Sequence, residues 1–204
     1  MSNVSPRHLQ LPRSELFSER RISSQAFDFI ANGISGTLET FAPTLSNFSQ
    51  TVLNLFEIEN PGVKRHFPGH PMACTTFNFG PRTETFPHKD LKNLSWGLCS
   101  VTSLGAYDPT EGGHILWDLG IAVEFPPYST ILLPSAIILH SNTAIGDEET
   151  RLSITQYTSA GLFSWKAHGH IPKGLSTQAD PWWTQPQHMF STVEELRMRH
   201  KIRL

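Results

Sequence analysis

The sequence predicts an α+β fold in which two helices precede a core made mainly of β-strands. Before Pro61, segments 23–41 and 44–60 carry apolar residues at mixed spacings of three and four, with Ser or Thr near their starts, which indicates two helices. After Pro61, apolar segments of roughly five to eight residues are separated by Gly, Pro, Asp and Asn, which is typical of an antiparallel sandwich or barrel.

The strand predictions follow the chain in order and lead into a terminal helix. A Pro-rich stretch, residues 177–187, precedes the charged segment 191–202, which predicts a helix capped by Ser191 or Thr192. We interpret residues 1–204 as one domain, with helical support in 1–60, the β core in 61–166 and a C-terminal extension in 167–204. The expected strands are 75–80, 96–105, 114–120, 121–127, 129–134, 136–140 and 151–160.

Composition excludes several classes of protein. The apolar run 131–139 is interrupted by Pro134 and is shorter than the roughly 20 residues that span a bilayer, and the N-terminus lacks the apolar stretch of a secretory signal. We therefore expect a soluble intracellular protein without a membrane partner. The two cysteines, Cys74 and Cys99, suit a reducing compartment and are too few for a zinc site made of Cys alone. A net charge of -2 and a pI near 6.5 exclude a strongly basic nucleic-acid coat.

Three residues predict a metal site. His88 and Asp90 are two residues apart, so on an extended chain their side chains point to the same side. His140 follows an apolar segment that we expect to be a strand, which would deliver its side chain to the mouth of a cavity. Two His and one carboxylate occupy one face of an octahedral iron and leave the opposite face open, as in non-heme Fe(II) oxygenases.

A carboxylate anchor follows the last of these ligands. Arg151 and Ser153 lie two residues apart in an expected strand, and therefore share one face. The planar guanidinium of Arg suits a carboxylate, which it can bind through two parallel hydrogen bonds. Along the sequence, the pair of metal ligands is followed fifty residues later by His140 and eleven residues after that by Arg151.

Two motifs in this order resemble those of a known enzyme family. Residues 88–93 are similar to the His-x-Asp-x-x-Asn element, and residues 151–157 to the Arg-x-Ser-x-x-x-Tyr element, of the TET/J-binding-protein-like Fe(II)/2-oxoglutarate dioxygenases, including those numerous in mushroom-forming fungi. The resemblance covers residues 73–166. It implies a double-stranded β-helix, or jelly-roll, core that uses Fe(II), 2-oxoglutarate and O2. It also implies that His88, Asp90 and His140 hold Fe(II), that Arg151 binds the distal carboxylate of 2-oxoglutarate, and that Ser153 supports this contact.

The same resemblance implies a DNA substrate carrying a methylated base that is flipped out of the duplex. Asn93 would hydrogen-bond the base and Tyr157 would stack on it, because an aromatic face compensates for lost base stacking. Asn93 could instead cap a turn, and Tyr157 could be a core residue. Ser159 stands where animal TET proteins place a base-contacting His, and Asn78 is a further candidate contact. We expect 5-methylcytosine as the substrate, followed closely by N6-methyladenine, and a nuclear, monomeric protein acting in DNA demethylation.

Two further residues have open roles. His114 follows two glycines and either reaches the cosubstrate or begins a strand as a polar residue. Arg82 either contacts phosphate or 2-oxoglutarate or is a loop cation. The alternatives for the whole chain are a dioxygenase of the same chemistry acting on a protein or small molecule, and a cupin-like metal-binding module without turnover. Arg151 disfavours the second alternative, since a module that only binds metal needs no carboxylate anchor.

Overall fold

The computed structural model describes residues 24–63, 65–171 and 189–201 as a mixed α+β fold. Both helices expected before Pro61 are confirmed. The helices are α1 (Ser24–Phe41), α2 (Pro43–Glu59), α3 (Ala160–Ala167) and α4 (Val193–His200). The strands are β1 (Cys74–Asn78), β2 (Cys99–Ala106), β3 (His114–Leu116), β4 (Ile121–Val123), β5 (Thr130–Leu133), β6 (His140–Asn142) and β7 (Thr150–Tyr157).

The strands form two antiparallel sheets, consistent with a β-sandwich core. The larger sheet has the order β1-β7-β2-β5, and the smaller has the order β4-β3-β6. Strand β7 lies between β1 and β2, with Ser153 opposite Asn78 on one side and opposite Ser103 on the other. Because side chains alternate along a strand, these three polar residues lie on the same face of the larger sheet as Arg151.

The opposite face of the larger sheet packs against the helices. Phe77, opposite Ile154 in the sheet, meets Phe27 of α1 edge to face with ring centroids 5.2 Å apart. Burying each large aliphatic or aromatic side chain stabilises the fold by about 1.5–3 kcal/mol, so this layer is the main source of stability. The hydrophobic core consists of Ile34, Leu38, Ala42, Leu45, Val52, Leu53, Met72, Leu94, Trp96, Phe163 and Met189.

The structure corrects three of the strand predictions and adds a helix. The expected strand 121–127 ends at Val123. Residues 136–140 do not form a strand: the amides of Ile137 and Ile138 bond to the carbonyl of Pro134 at 3.0 and 3.1 Å, which makes a turn, and strand β6 begins only at His140. The expected strand 114–120 ends at Leu116 and continues as a 3-10 helix, Trp117–Leu119. Helix α3 was not predicted, because the apolar residues around it have no clear helical period.

The terminal helix is confirmed at α4. Thr192 is its N-cap: the Thr192 hydroxyl accepts from the Glu195 amide at 3.2 Å, and the Glu195 carboxylate accepts from the Thr192 amide at 2.8 Å. The Pro-rich stretch 177–187 lies outside the described residues. Within the described ranges, no helix combines the length and the apolar character that crossing a membrane requires.

Candidate metal and cosubstrate site

The three expected metal ligands come together in the structure. One ligand atom from each of His88, Asp90 and His140 can be chosen so that all three lie within 4.8 Å of one another. The imidazole rings of His88 and His140 have centroids 4.4 Å apart, and His88 Nε2 lies 3.6 Å from Asp90 Oδ1. Two imidazole nitrogens and one carboxylate oxygen form a donor set compatible with Fe(II).

A pair of backbone hydrogen bonds sets the distance between the two histidines. The amide of His88 donates to the carbonyl of His140, and the amide of His140 donates back to the carbonyl of His88, both at 3.0 Å. His140 is the first residue of β6, whereas His88 and Asp90 lie in a loop outside the seven strands. The isolated bridge therefore attaches the ligand loop to the smaller sheet.

Both imidazoles are oriented by the carbonyl of the residue two positions earlier. Nδ1 of His88 lies 2.8 Å from the carbonyl oxygen of Phe86, and Nδ1 of His140 lies 2.9 Å from that of Ile138. A carbonyl can only accept, so each Nδ1 carries the proton and donates. Each Nε2 is then free to bind a metal, and such outer contacts fix both the tautomer and the ring orientation.

Burial keeps His140 in the form that binds metal. The His140 side chain is buried, and this loss of solvation is the main cause that lowers its pKa, with the neighbouring His88 lowering it further. A neutral imidazole therefore predominates at pH 7. Ligand nitrogens must be unprotonated, so the site favours metal binding at neutral pH.

A tight turn positions the carboxylate ligand. The amide of Asp90 donates to the carbonyl of Ser135 at 2.9 Å, and the amide of Asn93 donates to the carbonyl of Asp90 at 2.8 Å. The Asn93 side-chain nitrogen lies 3.3 Å from Asp90 Oδ2 and 3.2 Å from Ser135 Oγ. Asn93 therefore closes the turn, as in the plain alternative, and also contacts a ligand. In the described part of the chain, its Oδ1 makes no hydrogen bond.

Arg151, in strand β7, is buried, with 3% of its surface exposed. Nε donates to the carbonyl of Thr83 at 2.9 Å, Nη2 donates to the carbonyl of Thr143 at 2.6 Å, and the guanidinium lies 5.6 Å from the centre of the Tyr107 ring. Gly105 lies opposite Arg151, and a Cβ there would collide with the Thr150 carbonyl, so this close approach of β2 and β7 requires Gly.

One nitrogen of this guanidinium and the hydroxyl of the contacting Thr83 are both buried. Among the described residues, neither Nη1 of Arg151 nor the hydroxyl of Thr83 has a hydrogen-bond partner. Leaving a buried polar atom unpaired costs about 1–3 kcal/mol, so unpaired atoms on these two contacting residues indicate a missing polar ligand. A carboxylate fits both, because it accepts from a guanidinium and from a hydroxyl.

The other predicted residues of the larger sheet lie on the same inner face as Arg151. The side-chain nitrogen of Asn78 donates to the hydroxyl of Ser153 at 2.9 Å. Tyr157 is partly buried further along the strand, with its hydroxyl 3.5 Å from that of Thr76. Ser159 is the N-cap of α3 and pairs through its backbone with Asn93. Their predicted roles in binding remain predictions.

His114 and Arg82 have different surroundings. His114 is buried in β3, with Nδ1 3.2 Å from the carbonyl of Ser141 and its ring 4.7 Å from the ring of Phe125. Burial lowers the pKa of His114 to about 4. Arg82 pairs through its backbone with Arg151, whereas its guanidinium forms an ion pair with Asp147 at the surface. The contacts with the cosubstrate stay predictions for both residues.

Sequence reasoning missed three contributors to the site: Thr83, Tyr107 and Ser135. Tyr107 stacks on Arg151, and its hydroxyl is 2.6 Å from that of Ser103. Thr83 and Ser135 each contribute a backbone carbonyl and a hydroxyl, and no motif in the sequence relates either residue to the metal ligands or to Arg151. Tyr107 follows the predicted strand 96–105 closely, but nothing in the sequence relates it to Arg151.

Comparison with solved structures shows a distant likeness. No family model matches the sequence, and no curated protein matches it. Among solved structures, the chain is similar to NgTET1 from Naegleria in complex with 5mC DNA, with 16% identity and a TM-score of 0.40. The match covers 67% of this chain and 45% of that chain, so this chain spans less than half of that protein. At these values the likeness assigns neither a family nor a function.

Proposed function

We propose that the protein is an Fe(II)/2-oxoglutarate-dependent dioxygenase. The observation that carries the proposal is the cluster of His88, Asp90 and His140, with ligand atoms within 4.8 Å of one another. Its two imidazoles are already oriented with Nε2 available. Three ligands on one side leave the remaining metal positions for a cosubstrate and O2. A jelly-roll core, implied by the sequence resemblance, fits the two antiparallel sheets.

Arg151 and Thr83 are the proposed anchor for 2-oxoglutarate. Each carries a buried polar atom that has no partner among the described residues, and the guanidinium is already fixed by two backbone carbonyls and by Tyr107. Bound Fe(II) would supply, together with 2-oxoglutarate and O2, the oxidising chemistry. The anchor would orient the cosubstrate, and the surrounding sheets would exclude water from it. A cupin-like module that only stores metal would have no use for this buried cation.

The proposed substrate is a methylated base in DNA. Support comes from the His-x-Asp-x-x-Asn and Arg-x-Ser-x-x-x-Tyr motifs and from Oδ1 of Asn93. This oxygen has no hydrogen-bond partner among the described residues and could accept from the exocyclic amine of cytosine or adenine. The side chains of His88 and Asp90 are 40% and 33% exposed, so the metal site is open on this side. Exposed Lys92 and Leu91 lie on the same turn, which is a suitable surface for a phosphate and an unstacked base.

The identity of the base depends on the small side chain of Ser159. A Ser leaves more room than a His and removes one contact suited to cytosine, so a purine could fit as well. We propose 5-methylcytosine as the preferred base on the strength of the motifs, with N6-methyladenine next. A buried polar pocket rejects ligands that leave its groups unpaired, so one of the two bases should be strongly preferred.

The test measures succinate release and base oxidation together. Purified protein is incubated with Fe(II), 2-oxoglutarate and duplexes carrying 5-methylcytosine, N6-methyladenine or no methyl group, and the nucleosides are analysed by mass spectrometry. The Asp90→Ala variant is the inactive control. Oxidation of either methylated base supports the proposal. Succinate release with neither base altered would move the protein to dioxygenases that act on a protein or small molecule, and absence of both would reject dioxygenase activity.

A further inference from the structure

We propose that Asp118 is a positioning residue that joins the two segments carrying the metal ligands. A single oxygen, Asp118 Oδ2, accepts from the backbone amide of Leu139 at 2.9 Å and from Nζ of Lys89 at 2.9 Å. Leu139 directly precedes His140, and Lys89 lies between the other two ligands. One carboxylate therefore touches a neighbour of every ligand, without being a ligand itself.

The short 3-10 helix Trp117–Leu119 places this carboxylate. The amide of Trp117 donates to the carbonyl of Leu139 at 2.8 Å, so Trp117 and Asp118 together hold both polar groups of the Leu139 backbone. Trp117 Nε1 also donates to the hydroxyl of Ser141 at 3.0 Å, on the far side of His140. The helix therefore holds the backbone of the residue before His140 and the side chain of the residue after it.

The helix ends where the next strand must begin. Gly120 closes it in a left-handed conformation, with φ of 64°, and its amide bonds to the carbonyl of Trp117 at 3.2 Å. This conformation suits glycine, because other residues meet a steric cost there. The chain can then turn directly into β4, which pairs with β3. Asp118 therefore lies in a short connection between two strands, β3 and β4, that pair with each other.

The ion pair should matter for the metal more than for the fold. The side chains of Lys89 and Asp118 are 36% and 43% exposed, and an exposed pair contributes little to the stability of a fold. The affinity for metal should depend on this ion pair more strongly than the stability of the fold does, because the ligand atoms must be held in one arrangement. Changing outer residues that orient ligands typically weakens metal binding by about 10- to 100-fold. Asp118 acts through the backbone of Leu139, so we expect the lower end of this range.

The inference rests on the proposed metal site, and the test separates the two. Mn(II), a redox-inert probe for an Fe(II) site, is titrated into the whole protein and into the variants Asp118→Ala and Asp118→Asn. We expect about tenfold weaker binding for the Ala variant. We expect a smaller loss for the Asn variant, since its amide oxygen can still accept from Leu139. Asp147→Asn is the matched control, because Asp147 pairs with Arg82 at the surface, and it should bind Mn(II) as the wild type does.

Urea unfolding of the metal-free variants distinguishes positioning from folding. A positioning role predicts unfolding midpoints for both Asp118 variants that are close to that of the wild type. Unchanged Mn(II) affinity in Asp118→Ala would overturn the inference, and so would a loss of affinity accompanied by a large loss of metal-free stability. Failure of the wild type to bind Mn(II) would instead reject the metal site and the proposed function with it.

Discussion

Replacing Arg151 by Met should separate the cosubstrate anchor from the metal site. Met approximates the length and apolar stem of Arg but removes the charge and all five donors. The variant loses the unpaired Nη1, which we assign to 2-oxoglutarate, and also the bonds to the carbonyls of Thr83 and Thr143. The three metal ligands and their backbone bonds are not changed, so metal binding should survive.

The structure gives the size of two separate effects. A hydrogen bond to a charged group contributes about 1.5–3 kcal/mol, so the affinity for 2-oxoglutarate should fall by about 10- to 100-fold. The carbonyl of Thr83 keeps the side-chain amide of Asn142 at 3.3 Å, whereas the partly buried carbonyl of Thr143 loses its Arg151 donor, which costs about 1–3 kcal/mol, so the free energy of unfolding should fall by about 1–3 kcal/mol. The lower part of this range is expected, since water can enter where the guanidinium was.

The assay is calorimetric titration of 2-oxoglutarate into Mn(II)-loaded protein, with Mn(II) affinity and urea unfolding measured in parallel. Arg151→Lys is the control: it keeps the charge but lacks the planar fork, and it should bind 2-oxoglutarate with intermediate affinity. Equal affinity for 2-oxoglutarate in wild type and Arg151→Met would refute the anchor. A parallel loss of Mn(II) affinity would show that the variant disturbs the whole site and not the anchor alone.

Three other expectations can be measured directly. Single Ala variants of His88, Asp90 and His140 should each abolish turnover and leave the circular dichroism spectrum unchanged; wild-type rates in any of them at limiting iron would reject that ligand. Burial lowers the pKa of His114 to about 4 in the folded protein, whereas the same imidazole takes up a proton below about pH 6.5 in the unfolded chain. The free energy of unfolding should therefore decrease by about 3 kcal/mol as the pH falls from 6.5 to 4. In urea unfolding, the free energy of unfolding of the His114→Gln variant should change less with pH than that of the wild type. An equal pH dependence in the two proteins would exclude His114 as its source. Tyr107→Phe keeps the ring under the guanidinium but removes the hydroxyl, so stability should fall by about 1–2 kcal/mol with cosubstrate affinity unchanged; weaker cosubstrate binding would show that the hydroxyl, too, positions the anchor.

The helices and several strands could be predicted because their signals are local. The apolar spacing within 23–41 and 44–60 already defines one buried helical face, whatever that face packs against. Strand β7 alternates small polar with apolar residues, so Arg151 and Ser153 had to share a face. The cap at Thr192 was equally local, since the capping box is built from residues 192–195.

Predictions failed where the long-range fold competes with local pattern. Residues 136–140 are as apolar as a strand, but Pro134 begins a turn, and strand β6 starts only at His140, where the chain pairs with Leu116 of β3. Helix α3 has a weak period and is stabilised by Phe163, which packs against residues distant in sequence. The direction of the Arg82 guanidinium depends on Asp147, 65 residues away, so no local rule could give it.

The sequence by itself determined which atoms were available for chemistry. The His-x-Asp pair, the later His and the Arg are choices of side chain, and their donor types already point to a metal and a carboxylate. Only the tertiary structure decided that these groups meet. Residues far apart in the chain are joined by the mutual backbone bonds of His88 and His140 and by the contact of Arg151 with Thr83. Asp118 likewise contacts both segments that carry the ligands. Such contacts depend on how the sheets and loops pack, and backbone amides and carbonyls, which make many of them, are the same in every residue.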